Sequence, residues 1–190
     1  MEENFSPQQS LALIQSMITK TRSSLSENRI YFLLWGWVTF LCITFQFLLK
    51  VWLQYPRHYL VWLLTIPTAI ITIVYSARQE KKLRVKTYLG QSMGYLWTGI
   101  GISFSILSII VSNLPGGWLN GWPFFILFYA LGTFISGKLL AFKPLIIGGI
   151  FNWVLCVVCI FLPYDYQLLL AALAVLTSYI IPGHLLRSNN

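Results

Sequence analysis

Charge is what this chain has least of: 9% of its 190 residues are Asp, Glu, Lys or Arg, and only five are acidic. A soluble domain needs about 25% charged residues to hydrate its surface, so a water-soluble globule is not expected. No carboxylate falls inside a long apolar run. Glu2, Glu3, Glu27 and Glu80 flank or separate such runs, and Asp165 sits in a short gap. A carrier or pump that binds its ion at a mid-depth acid is therefore not expected. Cysteine is equally scarce. Cys42, Cys156 and Cys159 all lie in apolar stretches, where thiols behave as small apolar side chains. They supply no disulfide framework, and Cys156 and Cys159 share a helix face with no His or third Cys nearby to complete a metal set. The two histidines, His58 and His184, are expected at opposite membrane faces. There is no phosphate-cradling glycine loop and no acid pair for hydrolysis, which makes an enzyme the weakest class and leaves no expected cofactor or metal.

Hydrophobicity is what the chain does have. Residues 30–49, 59–76, 93–111, 121–140, 145–162 and 166–181 are apolar runs nearly free of charge. About twenty helical residues cross a hydrocarbon core of about 30 Å, so the fold class expected is all-α: a polytopic membrane protein with six transmembrane helices. Residues 29–186 would form that domain. Residues 1–28 would be a cytoplasmic segment carrying an amphipathic helix, and 187–190 a short tail. Met1 to Phe5 is acidic and no small-residue cleavage site follows, so no secretory signal peptide is expected. Ser6-Pro7-Gln8-Gln9 reads as a helix start, after which Leu11, Ile14, Met17, Ile18 and Leu25 recur on one side, as in an interfacial helix. Pro123, Pro144, Pro163 and Asp165 mark helix boundaries, whereas Pro67 lies within the second run and should bend it.

Basic residues set the orientation. Lys20, Arg22, Arg29, Arg78, Lys81, Lys82, Arg84, Lys86, Lys138, Lys143 and Arg187 fall on one side of the six-span plan, against Lys50 and Arg57 on the other. Both termini are then expected in the cytoplasm. The +8 formal charge flanks membrane segments, so it points to anionic lipid rather than nucleic acid. Trp52, Tyr55, Tyr59, Trp62, Trp118, Trp122, Tyr164 and Tyr166 would form the outer aromatic belt. The glycine- and tryptophan-containing loop 113–123 reads as a turn with interfacial anchors, or alternatively as a lid.

Within the runs the polar residues are mild. Gln46 and Asn152 stand out, because an amide against lipid lacks partners and should turn inward. Interhelical hydrogen bonding is the simple reading. The sharper one is a neutral pocket in which Asn152 and Trp153 border a small ligand, with Gln46 nearer its mouth. Gly101 with Ser105, Gly132 with Ser136, Gly90 with Gly94 and Ala174 with Ser178 are small-residue pairs four apart, suited to close helix packing or dimerisation. A local echo joins Ile135-Ser136-Gly137-Lys138-Leu139-Leu140 to Ile181-Pro182-Gly183-His184-Leu185-Leu186, which would fit a duplicated hairpin.

Tyr31-Phe32-Leu33-Leu34-Trp35-Gly36-Trp37 after an amphipathic segment, and Ile180-Ile181-Pro182-Gly183-His184-Leu185-Leu186 at the end, resemble small six-span inner-membrane proteins of the Bacteroidota. That resemblance implies a bacterial inner-membrane location and no catalytic role. In size and span number the chain is also similar to the substrate-binding subunits of energy-coupling-factor transporters, in architecture alone. Two functions follow as expectations. The first is binding or helping to translocate a neutral or amphipathic small molecule. The second is a non-transporting interaction or regulatory subunit, with a homo-oligomer or a membrane or cytosolic protein as its expected partner, whose Lys81, Lys82, Arg84 and Lys86 meet that cytosolic partner or membrane lipids.

Overall fold

The computed structural model describes the backbone of residues 7–82 and 88–186, and side-chain surroundings for 29–79 and 88–186. Arg84 and Lys86, the side chains of Lys81 and Lys82, the cap at Ser6 and the apolar stripe of residues 11–25 lie outside those limits. The described chain is helical throughout. Helix α1 spans Pro7–Val51, α2 Thr65–Lys82, α3 Tyr88–Asn113, α4 Trp122–Leu139, α5 Lys143–Cys159, α6 Tyr164–Val175 and α7 Ile181–Leu185. Two 3-10 segments, His58–Leu64 and Gly117–Asn120, precede α2 and α4, and a π-helical turn, Leu176–Ile180, joins α6 to α7. Five stretches are long and apolar enough to cross a membrane: Arg29–Val51, His58–Gln79, Tyr88–Asn113, Trp122–Leu139 and Tyr164–Leu185. Lys143–Cys159 is a sixth, shorter apolar helix. The protein is therefore an all-α, polytopic helical bundle of the multi-span membrane class, with broad apolar surface for lipid.

Three local features depart from a plain six-rod picture. First, α1 does not break between its amphipathic and apolar parts. At about 1.5 Å per residue its 45 residues reach roughly 67 Å, so the N-terminal part continues the first span as one rod. Second, Pro67 falls in the first turn of α2, directly after the 3-10 segment, so it does not bend an α-helix midway. Its missing N–H is harmless in a first turn, and the irregularity is a change of helix type. Third, the last apolar stretch widens into the π turn immediately before Pro182, whose ring would clash with the carbonyl four residues back in a regular helix.

Burial separates the centre from the periphery. In the most apolar stretch of Tyr164–Leu185, 56% of residues are buried, against 6% in His58–Gln79 and 11% in Tyr88–Asn113. The α6–π–α7 stretch is thus central and α2 and α3 are peripheral. Helices α4 and α5 form the most intimate pair, and α1 packs along α6, the π turn and α7. Glycines set these distances, as close van der Waals approach requires where lipid gives little hydrophobic drive. A Cβ on Gly149 would lie 2.7 Å from Phe134 Cβ and 2.8 Å from its N; one on Gly137 would lie 2.6 Å from Ile146 N. Gly36 of α1 and Gly148 of α5 lie against the π turn, where an added Cβ would stand 2.9 Å from Tyr179 Cβ and 2.8 Å from Thr177 O respectively. Gly132 receives Ile100 and Trp97 of α3, so this small residue is an intramolecular contact. A Cβ on Gly101 or Gly94 would meet no atom of another element within 4 Å, and Ser105 is exposed, so this part of the α3 face is unused among the described residues.

Candidate functional site

Two buried polar networks and one surface groove hold the residues of interest. Asn152 projects from α5 into the widened part of the last stretch and is fully buried. Its Nδ2 donates to Ser178 Oγ and, at 3.4 Å, to Ala174 O, while its Oδ1 accepts from Thr177 Oγ1 at 3.3 Å. Thr177 Oγ1 also reaches Leu173 O at 3.0 Å and Ala174 O at 3.1 Å. A π turn disrupts the usual ladder of backbone bonds, and the amide and hydroxyl supply partners for carbonyls at that point. The Ala174 and Ser178 pair is thus part of the α5–α6 contact.

Gln46 belongs to a second network near the 52–57 loop. It is 3% exposed, accepts from Trp62 Nε1 at 2.7 Å, and its Nε2 contacts Tyr164 Oη at 3.1 Å and His58 Nδ1 at 3.3 Å. Lys50 pairs with Asp165 one turn further on and lies 4.1 Å from the Tyr164 ring centroid. Trp122 packs against Trp62 at 5.8 Å between ring centroids. Both amides therefore turn inward and find partners.

The structure does not bring these two amides together. They share no partner, and their contacts on the last stretch, Tyr164 for Gln46 and Ala174 with Ser178 for Asn152, are ten to fourteen residues apart, or roughly 15–21 Å along a helix. Trp153, next to Asn152 in sequence, points elsewhere and packs on Phe134 of α4 with ring centroids 5.0 Å apart. Adjacent helical residues diverge by about 100°, so Asn152 and Trp153 leave α5 towards different neighbours.

A groove of about 420 Å³ opens on the surface where α5 meets the π turn and α7. It is lined by Pro144, Ile147, Gly148, Phe151, Thr177, Ile181 and Pro182. Apart from Thr177 this lining is apolar. Gly148 holds the floor low because α5 approaches the Thr177 backbone there, and Phe151 and Ile147 form an exposed wall. Thr177 links groove to interior, since its hydroxyl contacts Asn152. Lys143, exposed at the start of α5, immediately precedes groove residue Pro144. Sequence reasoning singled out Asn152, which lies behind the groove, but not Ile147, Phe151 or Thr177. Thr177 is one of three consecutive hydroxyl residues, with Ser178 and Tyr179, so nothing in the sequence sets it apart.

Other polar atoms are buried without use. Thr133 Oγ1 and Ser136 Oγ, three apart on α4, have no partner. The 113–123 loop folds as a turn, with Gly116 at a left-handed φ of 85° and Trp118 stacked on Phe125 at 5.4 Å. Among the described residues no three His, Cys, Asp or Glu side chains converge to hold a metal ion. Comparison with protein-family models, with curated proteins and with solved structures gave no match for this chain. The class that fold and surface define is a polytopic helical membrane protein that meets lipid over much of its surface.

Proposed function

We propose that this is a six-span bacterial inner-membrane protein, with cytoplasmic termini, that holds the apolar part of a neutral or amphipathic molecule in the groove between α5 and the π turn. The groove itself carries the reading: about 420 Å³ lined by six apolar or small residues and one hydroxyl matches an acyl-type chain better than a polar solute. Asn152 acts behind it by orienting Thr177, while Trp153 and Gln46 serve packing and helix docking. The basic count places the Pro144 end at the cytoplasmic boundary, where Lys143 would meet the ligand's polar or anionic end. Lateral entry from the leaflet suits an open groove, and translocation would require the ligand to leave towards the other face.

The test is photocrosslinking in lipid nanodiscs with a diazirine placed mid-chain in a fatty-acyl probe. The expected adducts map to Phe151 and Ile181 and fall several-fold in Ile147→Trp, whose larger ring on the exposed groove wall crowds the space. Adducts spread evenly over the apolar surface, and unchanged by Ile147→Trp, would reject the groove as a binding site.

The peripheral placement of α2 and α3 favours a second reading, an interaction subunit that offers these faces to a membrane partner or a second copy, with Lys81, Lys82, Arg84 and Lys86 on anionic lipid or a cytosolic protein. Neutralising the four basic residues should then reduce recovery of anionic lipid with the purified protein, and full recovery would remove that contact.

A further inference from the structure

The arm made of the 3-10 segment and α2 has little apolar burial, yet it carries a ladder of polar contacts to α1. Tyr31 Oη meets Ser76 Oγ at 2.8 Å, Trp35 Nε1 donates to Thr72 Oγ1 at 3.0 Å, and Cys42 Sγ donates to Val61 O at 3.3 Å. At the end next to the 52–57 loop, Gln46 joins both Trp62 and His58. In lipid, where apolar burial between helices yields little, such bonds and close packing decide whether an arm stays docked.

We infer that His58 is a proton-sensitive latch that holds the loop-side end of this arm against α1 and α6. The hydrogen-bond accounting fixes its resting state. An indole N–H can only donate, so Gln46 must turn its oxygen to Trp62 and its NH2 group to His58 and Tyr164. His58 Nδ1 therefore accepts, and the neutral ring carries its proton on Nε2. Protonation at Nδ1 would set an N–H against the Gln46 NH2 group, leaving two donors face to face. Flipping the amide gives no escape, because it would turn the NH2 group onto the Trp62 N–H. An unpaired buried donor is costly, so the contact opens.

The two surrounding charges act in opposite directions: Lys50 of α1 repels an imidazolium, whereas Asp165 of α6, itself paired with Lys50, attracts it. Tyr164 of α6 shares the Gln46 amide, Tyr59 packs edge-on against the His58 ring at 6.0 Å, and Arg57 precedes it in the chain. His58 is half-exposed, so protons reach it from the compartment that bathes the 52–57 loop. The inner contacts, Trp35 with Thr72 and Tyr31 with Ser76, contain no group that titrates near neutral pH and would act as the hinge. This inference does not depend on the groove.

The chain contains two histidines, so His184→Gln leaves His58 as the only imidazole. The full chain in nanodiscs is followed by 15N imidazole and indole NMR from about pH 8 to about pH 5, the range in which histidine titrates. Neutral His58 should show an unprotonated Nδ1. As the ring protonates, the Trp62 indole proton, assigned through Trp62→Phe, should lose its hydrogen-bonded downfield shift with the same midpoint. Gln46→Glu should abolish that loss, since a carboxylate accepts from both Trp62 and protonated His58. A neutral ring protonated at Nδ1, a Trp62 signal indifferent to His58 protonation, or an unaltered loss in Gln46→Glu would each overturn the latch. The titration of His58 itself needs no variant at the latch, so it decides the matter even if Gln46→Glu does not fold.

Discussion

Gly149→Ala should destabilise the fold by on the order of 1 kcal/mol, although alanine is the better helix former. The added Cβ would stand 2.7 Å from Phe134 Cβ, 2.8 Å from its N and 2.9 Å from its Cα. Carbon atoms pack best at about 3.5–4.0 Å, so α4 and α5 must separate by roughly 1 Å, because the clash includes backbone that no rotamer change can move. Overpacking of this kind costs about 1–3 kcal/mol, and the helix-propensity gain of about 1 kcal/mol offsets part of it. Gly101→Ala is the matched control, since nothing lies within 4 Å of its Cβ and it should be neutral or mildly stabilising. Equilibrium unfolding in mixed micelles would compare the two. A Gly149→Ala protein as stable as its parent refutes the α4–α5 packing. A Gly101→Ala protein as weak as Gly149→Ala shows that the open face of α3 is packed after all.

Three further outcomes are expected. Asn152→Leu removes contacts to Ala174, Ser178 and Thr177, and interhelical bonds in membranes average about 0.6 and reach about 1.7 kcal/mol, so a loss of about 1–2 kcal/mol should accompany faster amide exchange at residues 176–180. The Trp62 indole signal should not move in that variant, because the two networks share no group. Thr133→Val removes a buried hydroxyl without a partner and should raise stability by on the order of 1 kcal/mol in the same unfolding assay; a drop of that size would mean that the hydroxyl is bonded in the membrane. Asp165→Asn breaks an ion pair whose side chains are 30% and 44% exposed, so its effect on unfolding should stay within about 1 kcal/mol; a larger loss would mean that the pair is shielded from water.

Helix placement was legible because hydrophobic length is a one-dimensional signal: the runs 59–76, 93–111 and 121–140 differ by a few residues from His58–Gln79, Tyr88–Asn113 and Trp122–Leu139. The inward turn of Gln46 and Asn152 was legible too, since an amide is too costly to leave against hydrocarbon. Their partners were not, because the register between helices depends on how glycines such as Gly36, Gly148 and Gly149 meet backbones distant in sequence. Local type was hidden for a related reason. Nothing in Leu176-Thr177-Ser178-Tyr179-Ile180 announces a π turn; it needs Pro182 ahead and Asn152 from another helix. Trp153 leaves α5 in another direction from Asn152 and packs on Phe134, a partner that adjacency in sequence does not reveal. The groove arises from that same junction and has no motif of its own.

The central claim is that α5, whose 17 residues make it shorter than each of the five long apolar stretches, is a membrane crossing, so that the groove beside it lies in the bilayer. With Cys42, Cys156 and Cys159 replaced by alanine, single cysteines at Ala141 and Phe161, both exposed and on either side of α5, can be labelled in intact cells and inverted vesicles with a membrane-impermeant maleimide. The account predicts that Phe161→Cys reacts from outside and Ala141→Cys only from the cytoplasmic face. Labelling of both from the same side would contradict it.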